Sequence, residues 1–137
     1  MASRQTATMI DVYSFAIIMW EVFFEVIPYS SSFKLTRMYE TNNEEERLWS
    51  NVSLFNIPGL VVKGLRPIIP FKTEDQIFKW ISEYMLPDEK TSPNIVIVVM
   101  KYFEIVKRNW DHNATLRSPI SNIRSDLEDL LALLEMN

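Results

Sequence analysis

The stretch from Met9 to Val26 constrains this chain more than any other. Ile10, Val12, Tyr13, Phe15, Ile17, Ile18, Met19, Trp20, Val22, Phe23 and Phe24 leave almost no polar side to a helix built from them. A surface helix carries one apolar stripe, whereas a helix that is apolar nearly all round belongs in the interior of a domain. The same stretch holds Glu21 and Glu25, and a charged side chain at bilayer depth costs about 3 kcal/mol or more. The reading is therefore a central buried helix and not a membrane span. Pro28 ends it, because the residue before a proline is pushed out of helical geometry. Residues 1 to 8 are small and polar, without periodicity, and read as a disordered start.

A buried helix needs a chain able to cover it. The 137 residues suit one domain, and 47% hydrophobic with 23% charged residues is the balance of a folding chain rather than a disordered one. Gly59 and Gly64 are the only glycines, which argues against a many-turned β architecture and against a glycine loop that cradles phosphate. An all-α fold is the expectation. The net charge of −4 and pI near 5.0 repel nucleic acid and anionic membranes, so neither is expected as a partner. With no cysteine, disulfides, thiolate metal sites and cysteine nucleophiles are excluded, and a cytoplasmic setting fits. No basic segment followed by an apolar core marks a signal peptide, so the sequons Asn51-Val52-Ser53 and Asn113-Ala114-Thr115 read as chance matches.

Residues 29 to 51 are polar, and the acidic run Glu44-Glu45-Glu46 reads as a solvated face. Leu54 to Val62 reads as a connector or helix turn. Gly64 to Pro70 holds two prolines and a glycine and must be an extended or turning connection. Ile77, Trp80, Ile81 and Tyr84 share one face of a helix over 76–85, and Pro87 to Pro93 is a loop. The β-branched run Ile95 to Val99 suggests a strand, but Val99, Tyr102, Phe103, Val106 and Trp110 keep the helical period too long for one, which favours a helix over 94–110. Pro119 opens a closing helix whose apolar side is Ile120, Ile123, Leu127, Leu130, Leu131 and Leu134.

Three segments in order carry a resemblance. Asp11-Val12-Tyr13-Ser14-Phe15-Ala16-Ile17-Ile18-Met19-Trp20-Glu21 resembles the D-V-Y-S-F-G-I-V-L-W-E helix at the centre of the eukaryotic protein kinase large lobe, in its tyrosine-kinase and tyrosine-kinase-like branch. Gly64-Leu65-Arg66-Pro67-Ile68-Ile69-Pro70 is similar to the G-x-R-P-x-x-P connection of that branch. Trp110 to Ser118 resembles W-x-x-D-P-x-x-R-P, with Asn113-Ala114 in place of Asp-Pro and Asn109 where cysteine precedes the tryptophan. The resemblance implies a partial kinase domain over 9–137, the C-terminal half of the large lobe, with Asp11, Trp20, Arg66, Pro67, Trp110 and Arg117 as its structural positions. The chain between Pro70 and Trp110 is longer than in the family, which suggests an insertion near 87–98.

Intact members of that family transfer the γ-phosphoryl group of Mg-ATP to a serine, threonine or tyrosine hydroxyl. The glycine-rich loop, strand lysine, H-R-D, D-F-G and A-P-E segments are not in these residues, so the chain begins past the family's active site. No catalytic, cofactor-binding or metal residue is assigned, and the chain by itself is expected to be inert. A non-catalytic helical protein-interaction module is the alternative. In the family the aspartate matching Asp11 steadies the catalytic loop; here it reads better as a helix N-cap. Arg117 matches the arginine that pairs with the A-P-E glutamate and must find another carboxylate, stay solvated or mark an unstable spot. Trp20, Trp110 and Tyr13 read as packing groups, lone His112 as non-catalytic, and Ser30 to Ser32 as a loop. A protein partner is expected (the missing kinase portion, a substrate or a regulator), met in the interaction-module reading through surfaces around Gly64 to Pro70 and the neighbouring helices. Self-association through an exposed patch around Tyr13, Phe15 and Trp20 is expected as well.

Overall fold

The computed structural model describes residues 4–25 and 57–136. The features read at Pro28, Ser30 to Ser32, Glu44 to Glu46 and Asn51 lie outside the described residues. The fold is all-α, with no strand among the described residues. Helix α1 spans Arg4–Phe24 and α2 Ile57–Val62. Helix α3 spans Glu74–Trp80 and runs on into a π-helical turn, Ile81–Met85. Helix α4 spans Pro93–Asn109, a 3-10 turn follows at Ala114–Leu116, and α5 spans Ile120–Leu134. Length suggests one domain, but the chain divides into two compact units, Met1–Ala16 with Phe71–Asn137, and Ile17–Pro70. No described helix is long and apolar enough to cross a membrane.

In the first unit α4 is the organiser. Ser92 caps it by accepting from the Ile95 amide, and Pro93 fills the first turn, where its missing N–H costs nothing. That start commits the β-branched run to helix, and Val96, Val99, Phe103 and Val106 then bury one face. Each such side chain contributes about 2 kcal/mol on leaving water. Helices α3 and α5 both pack on α4. Phe71 meets the rings of Trp80 and Phe103 edge-on at 5.9 and 5.2 Å, and Ile123 and Leu130 are the buried side of α5. Asn94 Nδ2 donates to the Leu133 carbonyl at 2.6 Å, which sets the end of α5 beside the start of α4.

Helix α3 begins two residues before the expected Gln76. Thr73 Oγ1 accepts from the Gln76 amide and Gln76 Oε1 accepts from the Thr73 amide, a reciprocal capping box. Trp80 and Ile81, where α3 passes into the π turn, are both buried, and the Ser82 and Thr91 hydroxyls bond at 3.0 Å across the following loop. Residues 93–98 form the first turns of α4, and 86–92 is loop.

Helix α1 departs from the sequence reading in three ways. It includes residues 4 to 8, expected as a disordered start; once the apolar run has formed a helix, adding a residue needs no new nucleus, and Arg4, Gln5 and Ala7 propagate it well. It is not buried all round. Val12, Ala16, Met19 and Trp20 form a buried stripe, while Ile18 is 52% and Val22 68% exposed. Its end comes at Glu25, whose φ of 54° is left-handed and whose amide donates to the Glu21 carbonyl at 2.8 Å.

In the second unit α2 closes on a Schellman motif. Gly64 N donates to Val61 O at 3.0 Å and Leu65 N to Leu60 O at 2.9 Å, with Gly64 at φ 112°. A methyl group at Gly64 would touch nothing within 4 Å, so only the backbone demands glycine. Gly64→Ala is expected to cost about 1–2 kcal/mol, read as a lowered urea midpoint with unchanged slope. A second expectation concerns Tyr102, whose phenol burial pushes up to about 12. Because the folded state holds this proton more tightly than the unfolded one, its contribution is whole below pH 10 and is lost as pH rises toward 12. Alkaline titration of stability should show that fall in the native chain and a flatter curve in Tyr102→Phe.

Candidate functional site

The structure divides the six motif positions between the units. Trp20, Arg66 and Pro67 lie in the second. Trp20 is 1% exposed, its indole N–H donates to the Ile68 carbonyl at 2.7 Å, and its ring lies 4.9 Å from that of Phe24. The first motif is thereby tied to the second across 48 residues. Arg66 Nη1 donates to the carbonyls of Val61 at 3.1 Å and Leu65 at 2.8 Å. It thus holds the C-terminus of α2, where unpaired carbonyls favour a cation. Leu65, Pro67 and Pro70 are buried, so much of the apolar part of this connection, expected as a docking surface, is turned inward.

Asp11, Trp110 and Arg117 lie in the first unit. Asp11 is not an N-cap: α1 starts seven residues earlier, and the carboxylate is exposed on the side of the helix. Trp110 is buried at the end of α4, and its amide donates to Val106 O at 3.1 Å. Arg117 is half-buried, and its Nε and Nη2 both donate to the Asp111 carbonyl, at 3.0 and 2.8 Å. Its guanidinium carbon also stands 5.1 Å from the centre of the Tyr13 ring. A backbone carbonyl and an aromatic face are thus among the groups that serve the cation.

Between Trp110 and Ser118 the chain is tied by its own polar side chains. Asp111 Oδ1 accepts from the Asn113 amide at 2.8 Å, and Asn113 Oδ1 accepts from the amide and hydroxyl of Thr115 at 3.1 and 2.7 Å. The ends are joined by a residue that the sequence marked only as a departure from the resembling motif. Asn109, 1% exposed, accepts from the Ser118 amide at 2.8 Å and donates to the Ile105 carbonyl at 2.8 Å. The cysteine of the resembling motif would make neither bond well. The signal was present in the sequence as a polar residue on the apolar side of α4, between Val106 and Trp110.

These side chains hold backbone rather than present reactive atoms. His112 is exposed, and no group of three or more metal-ligating side chains occurs among the described residues. Of the patch foreseen at Tyr13, Phe15 and Trp20, Trp20 is buried and the other two are half-buried; Ile18 and Val22 are exposed apolar groups among the described side chains of that helix.

Asn109→Ala leaves the buried Ser118 amide without its acceptor and is expected to cost about 1–3 kcal/mol. Thr115→Ala, at an exposed bond of the same loop, should cost under about 1 kcal/mol. Paired urea titrations of the two variants test the difference; equal losses would refute the assignment of Asn109 as the clamp.

Compared with family models, curated proteins and solved structures, the chain matches none.

Proposed function

We propose that this chain is part of a protein kinase domain, the C-terminal half of the large lobe. The reading rests on the three ordered motifs, and the observation that carries it furthest is the Trp20 to Ile68 bond that ties the first motif to the second. Side chains matching the family pattern at Trp20, Pro67 and Trp110 are buried, and those at Arg66 and Arg117 clasp backbone carbonyls. In an intact member such residues support ATP-dependent phosphorylation of protein hydroxyls, and Mg-ATP is bound by segments these residues do not contain. Phosphoryl transfer is almost wholly positioning and charge stabilisation, and without those segments the 137 residues are inert as a catalyst. Their partner is then the remaining kinase portion or a protein that regulates it.

A second reading, a non-catalytic helical interaction module, is favoured by the exposed side chains Ile18 and Val22 on α1, since apolar groups left to water often mark contact surfaces. Mapping the 5′ end of the transcript separates the two. Codons ahead of Met1 for a strand lysine, H-R-D and D-F-G are expected on the first reading. An upstream frame without them would refute it and leave the interaction module.

A further inference from the structure

Among the described residues the tyrosines sit in different settings. Tyr13 lies well inside α1 and is half-buried, with the Arg117 guanidinium over its ring. Tyr102 lies inside α4, half-buried and edge-on to Phe103. Tyr84 is 48% exposed and stands at the end of the π turn, one residue before its last. The chain leaves the helix directly behind it: Leu86, at φ −131° and ψ 62°, closes the turn through its amide to the Ile81 carbonyl at 2.8 Å. From Glu83 to Lys90 every residue but the half-buried Leu86 is exposed. Acidic side chains flank the tyrosine, Glu83 before it and Asp88 and Glu89 after it.

We propose that Tyr84 is a phosphorylation site for a separate protein tyrosine kinase that prefers acidic substrates. Such an enzyme takes its substrate segment extended, so a helical tyrosine reacts only after the helix around it opens. Opening is least costly at the ends of elements and most costly where it exposes the core. At Tyr84 the end of a π turn opens, a form rarely longer than one turn, and most of what moves is already in water. At Tyr102 the same step would draw Val99, Phe103 and Val106 out of the core, and at Tyr13 it would draw out Val12 and Ala16. The acidic flanks and the net charge of −4 favour encounter with a basic substrate cleft. In the reaction Tyr84 Oη bonds to the γ-phosphorus of Mg-ATP, the bond from that phosphorus to the β,γ-bridging oxygen breaks, ADP leaves, and the phenol proton passes to the catalytic carboxylate of the kinase. Tyr84 is the substrate here, so the proposal does not rest on the chain's own reading as part of a kinase domain.

The test is to incubate the whole folded chain with Mg-ATP and a purified tyrosine kinase of acidic preference, and to map phosphate over time by tandem mass spectrometry. Tyr84 should be modified at least about tenfold faster than Tyr13 or Tyr102, because an element's end opens far more often than its centre. Synthetic peptides spanning each of the three tyrosines, offered together to the same enzyme, should differ by less, since no fold restrains them. Circular dichroism during the reaction shows that the chain keeps its helices. No phosphate at Tyr84, a Tyr13 or Tyr102 that keeps pace with it in the folded chain, or peptides that already reproduce the whole preference would overturn the proposal.

Discussion

The buried face of α4 is the constraint on which the first unit rests. Five β-branched residues in a row, Ile95 to Val99, are poor helix formers because their side chains are stiff against the preceding turn. They are helical here because Val96 and Val99 extend the line of Phe103 and Val106 into the core, and apolar burial outweighs an intrinsic preference of a few tenths of a kcal/mol per residue. What packs on that face follows from it. Helix α3 brings Ile77 and Trp80, and α5 brings Ile123 and Leu130. A capping serine and a first-turn proline mark where α4 begins, and Asn109 and Trp110 mark where it ends.

Near helix ends and in the connections, backbone carbonyls are served by a small set of side-chain donors. Trp20 reaches Ile68, Arg66 reaches Val61 and Leu65, Asn109 reaches Ile105, and Arg117 reaches Asp111. A buried carbonyl left unpaired costs about 1–3 kcal/mol, so irregular segments such as 64–70 and 110–118 persist in a fold only when something accounts for their polar groups. Arginine and tryptophan suit the task because each extends an N–H from a large apolar or stacking body. Arg117 shows both halves of this behaviour, with two donors on one oxygen and its guanidinium carbon over the Tyr13 ring.

Three of the motif positions, Trp20, Arg66 and Arg117, spend their hydrogen-bonding capacity on the chain itself. Such residues are what a scaffold half of an enzyme would contain, where the reacting groups are elsewhere, and this bears on the proposed reading as part of a kinase domain. They would serve a free-standing helical module equally well. What separates the readings is surface. Ile18 and Val22 of α1 and Ile120, Leu131 and Leu134 of α5 remain in water, and a helical domain pays for such exposure unless a contact covers it.

The sequence by itself determined that helices form at the central parts of α1, α3, α4 and α5. The 3.6-residue spacing of Val99, Tyr102, Phe103, Val106 and Trp110 marked α4, the two prolines and glycine of 64–70 marked the connection, and Pro119 marked the start of α5. These are local properties, set by a residue and its neighbours within a turn or two. The T-x-x-Q capping box at Thr73 was as local and just as legible, yet the apolar spacing that begins at Ile77 drew the boundary too late. Only the tertiary structure decided that Asp11 lies within α1 rather than at its cap, that Ile18 and Val22 face water, and that Asn109 closes a loop. It also decided that Arg117 reaches the Asp111 carbonyl and the Tyr13 ring. The reason is that a backbone carbonyl is the same acceptor at every position and carries no signature in the sequence. Which donor reaches it depends on what the fold brings within 3 Å, and burial of one side of an apolar helix depends in the same way on what packs there.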